Sequence, residues 1–200
     1  MQDQDSSIIR RVLEGDKRAY AELVDRHKDR AMTLAMRMLS NRQDSEEALQ
    51  DAFIRAFNAL PRFEWRSSFS TWFYRIVYNV CATALSKRDE ARLVSLDEEK
   101  DEQIDLPAEE KSADLEYESS EFRQAVAEEI EKLPETYRSI LTLFLVQDLS
   151  YEEIVDVTGS PLGTVKVRLF RARMLLRNGV VRRLGREYSA LHQHDKIEGA

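Results

Sequence analysis

The sequence predicts an all-α protein made of two helical domains joined by an acidic, flexible linker. Three observations carry this prediction. Only 6 glycines and 4 prolines occur in 200 residues, which is too few for the many turns of a β-protein. Apolar residues recur three and four positions apart at both ends of the chain, the period of a helix with one buried face. Between the two ends lies a long acidic stretch with little apolar content.

Composition narrows the class of protein. A hydrophobic content of 42% and a charged content of 34% suit one or two soluble domains with real cores. The single cysteine, Cys81, excludes a disulfide framework and a cysteine metal cluster. No apolar run is long enough to span a membrane, and the first residues lack the apolar core of a signal peptide. We therefore expect a cytoplasmic protein.

The first domain is predicted to cover residues 1–88 and to begin with two helices. A short one ends at Gly15, and Asp16 then caps a longer one. His27 continues the apolar stripe of that longer helix, so we expect a packed histidine and not a ligand or catalyst.

Asp44 and Glu47 have the spacing of a capping box and predict the start of a third helix, which Pro61 ends. Its outer face is charged except for Ile54. From the pattern alone, Ile54 is either an ordinary exposed apolar residue or part of a partner-binding surface.

The segment 62–79 holds seven aromatic residues and three arginines. A helix from Phe69 onward is expected to bury Phe69 and Phe73. Trp72 and Asn79 would lie at the margins of the buried face. Four side chains would point outward: Thr71, Tyr74, Arg75 and Tyr78. Aromatic rings beside arginines can hold unstacked bases. The alternative is that the rings form the core, which we expect for Phe69 and Phe73 but not for Trp65, Tyr74 and Tyr78.

The predicted linker covers residues 89–120. It holds 13 acidic and 3 basic residues, so it carries −10 while the chain as a whole carries −7 and the remainder +3. It is either a solubilising tether or an anionic strand that occupies a basic groove on a partner. The linker could also shield the basic face of the free chain from DNA.

The second domain, residues 121–186, contains two short helices joined by a tight turn. Ser150 with Glu153 is a capping box, Gly159 ends that helix, and Ser160 followed by Pro161 starts the next. The stripe expected to face the core is Leu162, Val165, Leu169, Ala172 and Leu176.

The opposite face of this last helix mixes cations with apolar groups, as a helix in a DNA major groove does. Its members are Gly163, Thr164, Lys166, Val167, Arg168, Phe170, Arg171 and Arg173. The simpler alternative is that Val167 and Phe170 pack on a neighbouring segment. The turn signature and the basic flank together favour a DNA-binding helix-turn-helix.

Residues 187–200 are expected to form a flexible tail. His192 and His194 lie within it, but two histidines without further ligands nearby are a weak metal signal, so we expect neither a metal nor a cofactor.

The strings FEWRSSFSTWFYRIVYN and LSYEEIVDVTGSPLGTVKVRLFRAR, separated by an acidic linker, resemble a bacterial extracytoplasmic-function (group 4) sigma factor of the sigma-70 family. The resemblance covers nearly the whole chain, with region 2 at residues 20–88 and region 4 at residues 122–183. It implies a subunit that binds RNA polymerase core and directs promoter-specific transcription initiation, in a stress or envelope response.

The resemblance implies three contact surfaces. Core polymerase, through the coiled coil of its largest subunit, would be bound by the outer face of the third helix: Glu47, Gln50, Asp51, Ile54 and Arg55. The minus-ten element would be captured and held open by a loop and the helix after it: Arg62, Phe63, Trp65, Arg66, Ser67, Ser68, Thr71, Trp72, Tyr74, Arg75, Tyr78 and Asn79. The minus-thirty-five element would be read by the last helix: Thr164, Lys166, Val167, Arg168, Phe170, Arg171 and Arg173.

Many relatives have Arg and Ser where this chain has Lys166 and Val167, so the promoter sequence is not carried over. The polymerase flap and an anti-sigma factor, often membrane-anchored in this family, are further implied partners. Because relatives thread the linker toward the polymerase active centre, the resemblance favours the anionic-strand interpretation.

Two other classes remain open on the residues. A conventional helix-turn-helix regulator would explain residues 150–176 but would leave the aromatic segment and the acidic linker without a use. An enzyme is disfavoured, because no acid–base pair, phosphate loop or nucleophile motif is found. We therefore expect no catalytic residues.

Overall fold

The computed structural model describes residues 2–93 and 120–194. In these two ranges the chain forms α-helices and short 3-10 turns and contains no β-strand. The predicted linker lies almost wholly outside the described residues, and so do the interpretations that rest on it. The all-α prediction is confirmed.

Four helices form the first domain: α1 (Gln2–Leu13), α2 (Tyr20–Leu39), α3 (Arg42–Ala59) and α4 (Phe69–Leu93). Asp16 caps the 3-10 turn that leads into α2, where its carboxylate accepts a hydrogen bond from Ala19 N at 3.3 Å. The cap predicted for α3 is wrong. Asn41 holds that position and accepts from Asp44 N at 3.0 Å, because the helix begins at Arg42, before the predicted capping box.

The core of the first domain lies between α2, α3 and α4. α2 contributes Leu23, Ala31 and Leu34, which are fully buried. α4 contributes Phe73 and Val77, also fully buried. The predicted burial of Phe69 and Phe73 is confirmed, because both rings stack in this core, their centroids 5.9 Å apart.

The second domain has four helices: α5 (Ser120–Glu131), α6 (Glu135–Leu145), α7 (Tyr151–Thr158) and α8 (Leu162–His194). α8 packs against α5, α6 and α7. It continues through residues 187–194, which were predicted to belong to the flexible tail; residues 195–200 lie outside the described ranges.

The two domains pack directly against each other. α7 lies along α4 and α6 lies along α2, so a single apolar core runs through both domains. Polar contacts join the same surfaces. Gln147 Nε2 donates to the carbonyl of Arg30 at 2.8 Å, and Arg138 Nη2 donates to Ser40 Oγ at 2.9 Å. The described parts of the two domains are therefore packed together, and we call this arrangement the closed form.

Candidate nucleic-acid interface

The helix-turn-helix is built as the capping signals predict. Ser150 Oγ accepts a hydrogen bond from Glu153 N, and the Glu153 carboxylate accepts one from Ser150 N at 3.0 Å. Gly159 then ends α7 with a φ of +68°, a left-handed conformation that glycine adopts without strain. The turn holds α7 and α8 at a fixed angle.

The inner face of α8 matches the predicted stripe with one exception. Val165, Leu169 and Ala172 are buried against the other helices of the domain, and Leu176 is half-buried. Leu162, predicted on the same stripe, is 37% exposed. It is the first residue of α8, so its side chain lies at the free end of the helix and not in the core.

The outer face of α8 presents apolar groups among cations. Val167 and Phe170 are 42% and 41% exposed, which excludes the alternative that they are packed away within their own domain. Lys166 and Arg173 are exposed beside them, and the Arg173 guanidinium lies 4.4 Å from the centroid of the Phe144 ring. A surface of this kind offers methyl and ring contacts to base edges and charge to phosphates.

A cleft of about 520 Å³ opens at the start of this face. Thr164, Arg168 and Arg171, each half-buried, line it together with Tyr137 of α6. Arg168 Nη1 donates to Ser160 Oγ at 3.4 Å, which holds the guanidinium beside the turn. The seven residues predicted for the minus-thirty-five element thus share one end of α8.

The segment between α3 and α4 forms an aromatic cluster. Phe63 lies at its centre, with its ring centroid 5.0 Å from that of Trp65 and 5.1 Å from that of Trp72. Phe63, which the resemblance places among the minus-ten residues, is only 7% exposed, so its ring supports the cluster from inside. Trp65 is 46% exposed, and its φ of +59° is strained for a residue that is not glycine.

A cleft of about 390 Å³ lies beside this cluster. Its lining includes three exposed arginines, Arg62, Arg66 and Arg75, together with Trp72. Asp156 of α7 lines the same cleft from the second domain. The cleft therefore combines a ring with a surplus of positive charge, the combination that binds an unpaired strand. It also holds two acidic residues: Glu64, which pairs with Arg66 at 2.8 Å, and Asp156 of the neighbouring domain.

Thr71 and Tyr74 do not point outward as predicted. Both are 1% exposed, because α2 and α7 cover the face of α4 that the sequence pattern assigned to solvent. The ring of Tyr74 packs 6.5 Å from His27, and burial raises the pKa of Tyr74 to about 12. Thr71 Oγ1 donates to Glu153 Oε1 of α7 at 2.8 Å.

The remaining predicted minus-ten residues have mixed exposure. Arg75 and Asn79 are exposed and Tyr78 is half-buried. Ser67 and Ser68 are also half-buried, and Ser68 Oγ lies 2.7 Å from Thr71 Oγ1. The structure thus brings the loop 62–68 and the exposed side of α4 together and removes Tyr74 from this surface.

The outer face of α3 is accessible. Ile54 is 61% exposed, the most exposed large apolar side chain among the described residues. Glu47, Gln50 and Arg55 are exposed around it, and Arg55 Nη2 pairs with Asp51 Oδ2 at 2.8 Å within the same helix. An apolar side chain ringed by charge is typical of a protein-binding surface.

His27 is buried, as predicted, but it has a partner that the sequence did not suggest. Its Nε2 lies 3.0 Å from Asp5 Oδ2, and Arg26 Nη1 donates to Asp5 Oδ1 at 2.6 Å. No periodicity signal could have found Asp5, because the contact joins residues far apart in the chain. The same holds for Glu153 and Asp156, which reach the first domain from α7.

The structure describes residues 2–93 and 120–194, and none of their helices combines the length and the apolar character needed to cross a bilayer. Among them, no group of three or more histidine, cysteine, aspartate or glutamate side chains is arranged to hold a metal ion.

Comparison with known families assigns both domains. The model of sigma-70 region 2 matches residues 23–91, and the model of sigma-70 region 4 matches residues 123–176. The chain is 35% identical to the RNA polymerase sigma-H factor of Pseudomonas aeruginosa over 176 residues, covering 86% of this chain and 91% of that one. It is 33% identical to the ECF RNA polymerase sigma-E factor of Haemophilus influenzae, covering 88% and 95%.

Two solved structures share the fold. One is CnrH in complex with the cytosolic domain of CnrY, with a TM-score of 0.59, 24% identity, and coverage of 86% of this chain and 93% of that one. The other is RpoE of Bartonella quintana with the anti-sigma factor NepR, with a TM-score of 0.61, 22% identity, and coverage of 80% and 96%. The family matches, the identities and the paired region 2 and region 4 domains lead to one conclusion: this chain belongs to the extracytoplasmic-function sigma factors of the sigma-70 family, which act in promoter-specific transcription initiation.

Proposed function

We propose that this sigma factor works through three surfaces: the outer face of α3, the cleft beside residues 62–68, and the amino-terminal half of α8. The observation that carries the proposal is the exposure of Phe170 and Trp65, one on each domain, each followed in the chain by an arginine. An exposed ring beside cations costs solubility unless it meets a ligand. DNA supplies that ligand in two forms, paired and unpaired.

The amino-terminal half of α8 reads the minus-thirty-five element as a duplex. Lys166, Arg168, Arg171 and Arg173 supply the positive charge that phosphates attract. Val167 and Phe170 offer only apolar contacts, which suit the methyl group of thymine better than a hydrogen-bonding base edge. The helix docks through a fixed turn, so the register of these side chains on the groove is set by the fold.

The cleft beside residues 62–68 holds the unpaired strand of the minus-ten element. Trp72 lines this cleft together with Arg62, Arg66 and Arg75, which would surround the path of the backbone, and Trp65 offers an exposed stacking ring on the same loop. Opening the duplex costs a few kcal/mol per unstacked base, which stacking on Trp65 offsets in part. Tyr74 and Phe63 support this surface from the core.

The domains separate when the factor engages DNA. In the closed form Thr71 is bonded to Glu153, and Asp156 lies in the cleft with the three arginines. An acidic side chain at that place repels a phosphate. Binding of polymerase core to α3 and to the second domain would hold the two domains apart and expose the cleft.

The activity of this sigma factor would be regulated by a partner protein. The solved relatives are complexes, one with the cytosolic domain of CnrY and one with the anti-sigma factor NepR. A comparable anti-sigma factor would hold this chain, in a stress or envelope response. Its place of action is the cytoplasm, where RNA polymerase works. The polymerase, and not this chain, would catalyse bond formation during RNA synthesis.

Run-off transcription with purified core polymerase on a promoter library tests the proposal. Arg171→Ala is expected to weaken minus-thirty-five selection. Trp65→Ala is expected to slow strand opening and to leave closed binding nearly intact. Val181→Ala is the control, because Val181 is 57% exposed on α8 but outside the reading end. If both test variants open promoters as wild type does, the assignment of the two DNA surfaces is wrong.

A further inference from the structure

A smaller cavity of about 190 Å³ lies against Trp65. The loop and the start of α4 form one wall, with Phe63, Trp65 and Phe69 among its side chains. The other wall is α1, which contributes Asp5, Ser6 and Ile9. α1 precedes residue 23, where the match to the sigma-70 region 2 model begins.

Asp5 places a negative charge at this wall. The residue is 5% exposed, and its carboxylate is held by Arg26 at 2.6 Å and by His27 at 3.0 Å. His27 is itself fixed, because its ring packs 5.2 Å from that of Phe69. The carboxylate is therefore rigid and ionised, and each of its oxygens keeps a lone pair beyond the one already in use.

Docking of α1 does not rest on this charge alone. Ile8 and Ile9 are 3% and 1% exposed and anchor the helix in the core. Asp5 adds hydrogen bonds to Arg26 and His27 across the contact with α2, at the cost of desolvating a carboxylate. Because Asp5 lies at the cavity wall, its charge can act on a ligand in the cavity, which is a role beyond packing.

We propose that α1 is the second wall of the pocket that captures the unpaired minus-ten base, and that Asp5 determines which base is accepted. This inference rests on the capture of that base by residues 62–68. Ionised Asp5 can only accept hydrogen bonds, so it pairs with the exocyclic amino group of cytosine, adenine or guanine. Thymine presents a carbonyl oxygen at the same place, and two acceptors repel each other. A cavity of this size holds one base and not a base pair.

Selection of DNA by the holoenzyme tests the proposal. Full-length chain bound to core polymerase selects short single-stranded DNA from a pool of randomised sequence, and the retained strands are sequenced. Trp65→Ala identifies the captured position as the one whose base preference disappears. At that position Asp5→Asn is expected to lower the preference for cytosine, adenine or guanine over thymine by about tenfold, since the new amide can donate to a carbonyl.

Two further variants complete the design. Asp25→Asn is the matched control, because Asp25 is exposed, pairs with Lys28 and does not line the cavity. It is expected to keep every preference. Ser6→Leu fills the cavity from the side of α1 without removing a charge, and it is expected to weaken retention of single strands about tenfold. Binding of a minus-thirty-five duplex should stay at the level of wild type.

The outcomes distinguish failure of the proposal for α1 and Asp5 from failure of base capture by residues 62–68. If Trp65→Ala changes no preference, base capture by the loop is wrong. If Trp65→Ala removes a preference but folded Asp5→Asn leaves it intact, Asp5 does not read the base. If Asp5→Asn does not fold, Ser6→Leu decides: unchanged retention of single strands would rule out α1 as a wall of the pocket.

Discussion

Thr71 Oγ1 of α4 donates a hydrogen bond to Glu153 Oε1 of α7 at 2.8 Å, so this bond joins α4 to the first turn of the helix-turn-helix. The other oxygen of the same carboxylate, Oε2, accepts from Ser150 N at 3.0 Å and caps α7. Glu153 therefore holds its own helix and the domain interface at once. Thr71 becomes available to DNA only when this bond breaks.

Thr71→Val tests the strength of this contact. Valine keeps the shape of threonine and removes the hydroxyl, so the half-buried Glu153 carboxylate loses this donor and Ser68 Oγ loses its neighbour at 2.7 Å. The free energy of unfolding of the full chain is expected to fall by about 1–3 kcal/mol, measured by urea unfolding.

The control for Thr71→Val is Thr83→Val. Thr83 lies on the same helix, and its exposed hydroxyl bonds only to the carbonyl of Asn79. Its loss should change stability by less than about 0.5 kcal/mol. Equal losses for the two variants would mean that the contact between the domains adds nothing to stability.

Phe170→Ala tests the apolar part of the reading helix. Removal of the ring is expected to weaken binding of holoenzyme to duplex minus-thirty-five DNA about tenfold and to relax base preference at one position. The salt dependence of binding should stay the same, because no phosphate contact is lost. Fluorescence anisotropy at several salt concentrations measures both quantities. Val181→Ala, on the same helix, should bind as wild type, and a changed salt slope in Phe170→Ala would contradict its placement at a base edge.

Ile54→Ala tests the polymerase-binding face of α3. The side chain is 61% exposed and contributes little to the core, so the fold should be retained. Affinity for core polymerase is expected to fall about tenfold, as for an apolar residue at the centre of an interface. Leu13→Ala serves as the control, since Leu13 is 45% exposed on α1 and away from this face. Titration of labelled chain with core polymerase would contradict the assignment if both variants bound equally well.

Asp5 predicts a dependence of stability on pH. Burial alone would raise the pKa of Asp5, but the hydrogen bonds and charges of His27 and Arg26 outweigh burial and hold the pKa below the ordinary 3.8. A carboxyl whose pKa is lowered by folding stabilises the native state above its unfolded pKa and loses that contribution as the pH falls through its folded pKa. The difference in free energy of unfolding between wild type and Asp5→Asn should thus be largest above pH 3.8 and shrink below it. A constant difference across a urea-unfolding series from pH 6 to pH 3, in steps of about one unit, would contradict an ionised Asp5.

Local signals predicted much of the second domain. Ser150, Glu153 and Gly159 act within one turn of helix, and each does in the structure what its type and spacing indicate. The exposure of Val167 and Phe170 also follows from helical period, because α8 presents that side to solvent. The predicted capping box of α3 failed because Asn41, a competing cap three residues earlier, starts the helix first.

The helical period of the sequence predicted that Thr71 and Tyr74 are exposed, and both are buried. A helical wheel divides residues into an inner and an outer face, and it assumes that one side of the helix meets water. α4 is covered on one side by α2 and on another by α7, so the side that holds Thr71 and Tyr74 is buried while Arg75 and Asn79 stay exposed. Only the arrangement of the domains decides which side of α4 stays open.

By itself the sequence determined the helices, the caps of α7, the two families of domain and the cationic end of α8, because these depend on side chains within a few positions of one another. Tertiary structure alone decided the bond between Thr71 and Glu153, the burial of Tyr74 and the pairing of Asp5 with His27. These contacts join residues from different helices, and packing of the whole core selects which of many possible partners meet.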